Sequence, residues 1–216
     1  MQKILSNTGI LFILTILCII TAYIIYSKIP FGQEIIEINR FNNPSLDFVF
    51  KYITHIGDGL FYGFVLILFI FFIKYRAAII GLIIYALSSG VAQYLKHVVF
   101  PDRDRPLKFF GDKVKLHFAD GVTVHIMNSF PSGHTTSVFA MVFVIAYFTK
   151  ANIWQQILLF LLACLVGFSR MYLCQHFLRD VIAGACLGTL IAMVIIVIFE
   201  KFNVFNTVSL NKKLLN

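Results

Sequence analysis

The sequence is short of charge, and shortest of negative charge. Of its 216 residues only 13% are charged, with 10 acids against 18 Lys and Arg. A soluble domain carries about 25% charged and about 45–50% apolar residues. A chain that is 59% hydrophobic, with mean hydropathy +0.86, is therefore not an ordinary soluble domain. The few acids form no carboxylate cluster and no HExxH pattern, so the usual ligand sets of a metallohydrolase are missing. No metal and no other cofactor is expected. The four cysteines, Cys18, Cys164, Cys174 and Cys186, sit in or beside apolar runs without framework spacing. They read as packing residues and say little about redox compartment. There is no nucleic-acid-binding motif, no internal repeat and no low-complexity tract. The first apolar run has no clear small-residue cleavage site, so it reads as a span and not as a cleaved signal.

What the sequence has is long apolar runs. A span needs about 20 apolar residues, and six stretches qualify or come near: 9–27, 59–74, 77–96, 134–149, 153–170 and 178–199. The expected fold is an all-α membrane protein, a six-transmembrane-helix bundle forming one domain over residues 1–216. The mixed segment 28–58 predicts one or two interfacial helices before span two. Residues 107–130, LKFFGDKVKLHFADGVTVHIMNSF, form an extracytoplasmic loop between spans three and four. They alternate polar and apolar around Asp120-Gly121, so either a solvated loop or a small hairpin or lid fits. Lys108, Lys113, Lys115, His117 and His125 in that loop are candidates to meet lipid headgroups. The polar tail from 201 onward is expected to be loose.

Six spans place both termini on one side. With Lys3, the links KYR (74–76) and KAN (150–152) and the tail, that side carries seven Lys/Arg and one acid, Glu200. The other side carries eleven Lys/Arg and the nine remaining acids. The raw count opposes the positive-inside rule. The opposite side, however, has much longer loops and cations that read as functional, so the termini are placed in the cytoplasm. In either orientation the end of span three, the start of span four and the turn between spans five and six share one side.

Those three places hold the unusual residues. KHVVFPDRDRP (96–106) contains Lys96, Arg103 and Arg105. In FPSGHTTSVF (130–139), Pro131 restrains the entry, Ser132 can cap a helix and Gly133 permits close backbone approach. The free N–H groups of a helix start form an anion site, and His134 sits there. In SRMYLCQHFLRD (169–180), His176 and Asp180 are four apart and would share a helix face. A carboxylate there can hold one imidazole N–H and fix the tautomer. Arg170 lies too far round one helix to meet His176, which predicts a turn between them, and Arg179 is expected to point to headgroups. Each cluster alone has an ordinary explanation: a snorkelling lysine with a solvated loop, a plain helix start, an interfacial salt-bridge cluster. Together they supply cations and N–H groups for phosphoryl oxygens, a nucleophile and an acid.

In this combination the chain resembles the type 2 phosphatidic acid phosphatase (PAP2) superfamily, in its branch of membrane lipid phosphatases. PSGH at 131–134 matches that family's second motif, and Ser169, Arg170, His176 and Asp180 match its third. The first motif departs: the family separates Lys from Arg-Pro by six residues, whereas eight separate Lys96 from Arg105-Pro106. Arg103 stands at the six-residue spacing but is followed by Asp104. The resemblance implies that His176 attacks phosphorus, that Asp180 orients it and that His134 serves the leaving group and then water. It implies that Lys96, Arg105 (or its rival Arg103), Ser132, Gly133 and Arg170 hold the phosphoryl oxygens, without a metal. The implied partners are a lipid phosphate and the bilayer, with no nucleic acid. The implied location is a bacterial cytoplasmic membrane, with the site facing the periplasm or exterior. Candidate lipids are undecaprenyl pyrophosphate, phosphatidylglycerophosphate, phosphatidic acid and a lipid A phosphate. The rivals are a phosphotransferase of the same architecture, a transporter and a non-catalytic lipid binder. A transporter would place its polar groups at mid-membrane, and these sit at one face.

Overall fold

The protein, described here over residues 2–215 of a computed structural model, has helices and no strand among those residues. Helix α1, Gln2–Lys28, buries Ile4, Asn7, Thr8, Leu11 and Thr15, spaced by one helical turn, so one stripe faces the bundle. Its other faces expose Leu5, Ile13, Leu17, Tyr23 and Ile24. An apolar surface of this extent belongs against lipid. Short helices α2 (Gln33–Asn39) and α3 (Pro44–Ile53) follow, where interfacial helices were predicted. Asn43 caps α3 by accepting from Leu46 N at 3.0 Å, with Pro44 at the first helical position.

A 3-10 turn, Thr54–Gly57, carries α3 to α4 (Gly59–Leu68), and the two halves meet at 60° with Asp58 at the break. Helix α4 ends in a π turn, Phe69–Ile73. Helix α5 (Tyr75–Tyr94) likewise runs on through a π turn, Leu95–Val99. This extension carries Lys96 inside, where it is buried; the sequence predicts a span that ends at that lysine. After α6 (Pro106–Phe110) the chain is irregular until α7 (Gly133–Thr149), α8 (Ile153–Tyr172) and α9 (Leu178–Lys201).

Helix α7 is apolar on all sides and buried on all sides, with every residue from Thr135 to Val144 inside. It is the axis of the bundle. Helix α9 presses against it at two glycines. A Cβ at Gly188 would stand 2.3 Å from Thr136 O, and one at Gly184 would stand 2.6 Å from Ser132 O. Only hydrogen fits there, and this approach sets the start of α7 beside the start of α9. Four helices, α1, α5 with its π turn, α8 and α9, are long and apolar enough to cross a membrane. The bent α3–α4 pair makes a fifth candidate span if counted as one, and α7, at 17 residues, is a shorter apolar helix.

One expectation, the loose tail, is corrected, and of the forms open for 107–130 the loop is the one present. The DG-centred stretch forms no hairpin, because its backbone bonds elsewhere. Asn39 and His117 exchange side-chain-to-backbone bonds of 2.8 Å. Arg105 N donates to Ile126 O and Ser129 N to Arg103 O. His117 meets Asp47 Oδ2 at 2.8 Å, so its ring is engaged within the protein. The segment is an anchored irregular cover over one end of the bundle. The tail, in turn, is tied down. Tyr75 N and Arg76 N donate to Lys212 O and Leu210 O, and Leu214 N and Leu215 N donate to Ile70 O and Phe71 O. These bonds satisfy donors at the start of α5 and carbonyls in the π turn before it, which would otherwise lack partners.

Candidate active site

The three sequence clusters converge on one cavity of about 270 Å³ lined by Lys96, Arg105, Gly133, His134, Arg170 and His176. Each arrives by a different local device. Lys96 comes from the π turn of α5. Arg105 is the residue before Pro106 at the start of α6. Arg170 is in the last turn of α8 and His176 in the tight link to α9. In that link Gln175 N and His176 N both donate to Arg170 O, at 2.9 and 3.1 Å, and Cys174 takes a positive φ of 52°. His176 therefore precedes the first residue of α9. It does not share a helix with Asp180, as the four-residue spacing suggests; Asp180 instead occupies the first turn of α9 and accepts from Phe177 N at 3.0 Å.

Around His176 the geometry separates the two ring nitrogens. Nδ1 lies 3.6 Å from Asp180 Oδ2 and 3.5 Å from Ser129 Oγ, while Ser129 Oγ donates to Asp180 Oδ2 at 2.5 Å. Nε2, on the other edge, lies 3.5 Å from Arg105 Nη1. Burial holds the pKa of His176 well below its ordinary 6.5, and Arg105, Lys96 and Arg170 reinforce the shift. The imidazole is thus neutral, with a free lone pair, at neutral pH.

Arg105 is clamped. Nε donates to Met127 O at 2.8 Å, and Nη1 to Gln175 O and Gln175 Oε1 at 3.1 and 3.2 Å. Burial lowers its pKa to about 10, which leaves it charged. Arg103 is exposed, its guanidinium 5.7 Å above the Phe100 ring and outside the cavity lining. Arg170 donates Nη1 to Thr54 Oγ1 at 2.6 Å, and its buried Nε has no acceptor among the described residues. Three cations thus crowd one small cavity.

At the start of α7, Ser132 is the cap and accepts from Thr135 N at 3.4 Å, and its own N–H donates to Asp180 O at 2.9 Å. This bond fastens the PSGH segment to α9. A Cβ at Gly133 would stand 3.9 Å from Lys96 Nζ, in the space between that ammonium and the helix start. Arg179, expected to point to headgroups, has contacts within the protein. It stacks 4.1 Å over Phe31, with Nε 3.4 Å from Asp180 Oδ1.

Sequence reasoning missed four neighbours. Asp58 contacts His134 Nε2 at 2.7 Å through Oδ1 and His55 Nδ1 at 2.6 Å through Oδ2. The bond to His134 leads in drawing the Asp58 carboxyl down to about 2, His55 adding to it and burial opposing. Ser129, Thr54 and Gln175 are the other three. Ser129 stands just before PSGH, so only a reading that extended the motif backwards could have found it. Asp58, between two glycines ahead of an apolar run, carries only a helix-start signal. Among the described residues no group of three or more His, Cys, Asp or Glu gathers as a metal site would require.

A helical bundle that gathers three cations, a helix N-terminus and a buried histidine at one end has the chemistry to accept an oxyanion. The pattern of the PAP2 superfamily matches residues 77–203, and the chain belongs to that family. Phosphatidylglycerophosphatase B of Bacillus subtilis (strain 168) is 33% identical over 174 residues, 75% of this chain and 79% of that protein. The crystal structure of Aquifex aeolicus LpxE superposes with a TM-score of 0.67 at 25% identity, covering 77% of this chain and 94% of that one. The transmembrane PAP2-type phosphatidylglycerolphosphate phosphatase from Bacillus subtilis does so at 0.57 and 25% identity, covering 95% and 100%. The chain is accordingly an integral bacterial membrane protein of the PAP2 lipid phosphatase family.

Proposed function

We propose that the chain hydrolyses a phosphomonoester or pyrophosphate of a membrane lipid through a phosphohistidine at His176. The observation that carries this is the orientation of His176: its Nδ1 edge faces Ser129 and Asp180, and its Nε2 edge faces Arg105 at the cationic cavity. Lys96, Arg105, Arg170 and the N–H groups of the Ser132–Gly133 helix start hold the phosphoryl oxygens, where charge accumulates in the transition state. The neutral Nε2 forms a P–N bond as the P–O bond to the leaving group breaks, and His134 supplies a proton to the departing oxygen. Water then attacks phosphorus, His134 takes its proton, the P–N bond breaks and inorganic phosphate leaves. Asp180 and the Ser129 hydroxyl favour the positive charge that His176 gains on attack. The donor set is cationic, suits an oxyanion and repels a divalent metal ion, so the chemistry is metal-independent. Purified protein in detergent should release phosphate from one or more of undecaprenyl pyrophosphate, phosphatidylglycerophosphate, phosphatidic acid and a lipid A phosphate, undiminished by EDTA. Loss of activity in EDTA with recovery on adding a divalent ion contradicts the metal-independent reading.

The reading includes a topology. We take α4 with its π turn, and α7, as spans alongside the four long helices, which makes six and places both termini on one side, assigned here to the cytoplasm. The anchored cover over 107–130 and the cavity then face outward, where the headgroups of the outer leaflet lie. The excess of Lys/Arg over acid in the short links and termini supports this side assignment. Cysteines introduced at Asp112 and Asp120, both exposed, should react with an impermeant thiol reagent on intact cells. Labelling only after lysis reverses the orientation and leaves the chemistry intact.

A further inference from the structure

Asp58 lies outside every sequence cluster, yet it is the acid in contact with His134. It stands at the 60° break between the Thr54–Gly57 turn and α4, with extended backbone at φ −74° and ψ 150°. The glycines on either side make room for it. A Cβ at Gly57 would be 2.8 Å from His134 O and 2.9 Å from His134 Cβ, so this turn lies directly on the first residues of α7. A Cβ at Gly59 would overlap the Tyr85 hydroxyl of α5. The backbone at Asp58 is thereby wedged between α7 and α5. One carboxylate oxygen is delivered to His134 Nε2 at 2.7 Å, and the other is braced by the more exposed His55 at 2.6 Å.

We infer that Asp58 is the positioning residue of His134, fixing its tautomer so that Nδ1 is the nitrogen that serves the leaving oxygen and then the water. The inference rests on the proposed phosphohistidine reaction. With a carboxylate on Nε2, that nitrogen keeps its hydrogen in both protonation states of the ring. Nδ1 then carries the change. Its proton goes to the leaving oxygen as the P–O bond breaks and the P–N bond to His176 forms. It takes a proton from water as the P–N bond breaks. The charged groups and imidazoles that line the cavities beside His134 are Lys96, Arg105, His125, Arg170 and His176 on one side and Lys51, His55, His125 and Arg170 on the other, with Asp58 as the carboxylate between them. The role parallels that of Asp180 toward His176, one carboxylate for each histidine, but only Asp180 belongs to a motif the sequence displays.

A scaffold contact and a positioning contact differ in how the loss depends on the leaving group. General acid assistance matters for an alkoxide and little for a nitrophenolate. The measurement is kcat/KM, which covers the steps up to phosphoryl transfer, on a long-chain alkyl phosphate and on 4-nitrophenyl phosphate, with the purified full chain. Asp58→Asn should lower it by about 30–100-fold on the alkyl ester and by less than about 3-fold on the aryl ester. Asp58→Glu, which keeps the charge but moves it by one methylene, should recover about tenfold of the alkyl loss. If Asp58→Asn does not purify as folded protein, Asp58→Glu should still show the larger loss on the alkyl ester. Equal losses on both esters, or none on either, overturn the inference. If the wild-type chain cleaves neither ester, or His176→Ala retains turnover, the phosphohistidine reading itself fails and the role of Asp58 falls with it.

Discussion

His176→Ala is expected to reduce lipid phosphate hydrolysis to background, a loss of at least about 10⁴-fold in kcat, because no second nucleophile can take over the covalent step. His176 is fully buried, and its Nε2 edge stands against Arg105 and the cavity. His134→Ala should behave differently. It keeps the nucleophile and removes the proton donor, so it should lose about 10²–10⁴-fold on an alkyl phosphate and much less on an aryl phosphate. The contrast between the two variants matters more than either number. If both lose activity equally on both esters, the histidines do not divide the work in this way.

Arg105→Ala should lower kcat/KM by about 10²–10³-fold, the loss typical of removing one preorganised oxyanion donor. Arg103→Ala should change it by less than about threefold. Arg105 is buried and sends Nη1 toward both Gln175 and His176 Nε2, whereas Arg103 lies exposed over Phe100. Arg105 also donates to Met127 and Gln175 oxygens, so part of its loss is expected to be structural. Arg105→Lys, which keeps the charge without the fork, should recover only part of the activity. The opposite order, with Arg103→Ala the more damaged, would show that the six-residue spacing from Lys96 is the one in use.

The cations, histidines and Asp180 of the cavity were legible because they cluster in three short segments whose spacing is unusual for membrane-facing sequence. Their convergence follows the same expectation. A count of six spans puts all three segments on one side, and the three segments line one cavity. The choice between Arg103 and Arg105 was not settled by spacing, since the π turn at Leu95–Val99 and the bends before Pro106 change how far a given number of residues reaches. Apolar periodicity carries no trace of such a turn. For the same reason the burial of Lys96 was hidden. Asp58 was illegible for a deeper reason: its partner is far away in the chain, and the contact exists only because the 60° break before α4 brings Gly57 against α7. The missing hairpin follows from the tertiary structure as well. Residues around Asp120-Gly121 carry a turn signal, but the neighbouring backbone groups bond to Asn39, Lys51 and Gln175 and not to a partner strand. The tail was read from polarity alone, and polarity does not reveal that its carbonyls are needed at the start of α5.

The most direct measurement is to mix the purified protein with ³²P-labelled lipid phosphate, quench at alkaline pH and locate the label. A phosphoramidate survives alkali better than acid, so the account predicts an alkali-stable, acid-labile label on the peptide containing His176 and absent from His176→Ala. Label on His134, or label still trapped by His176→Ala, contradicts it.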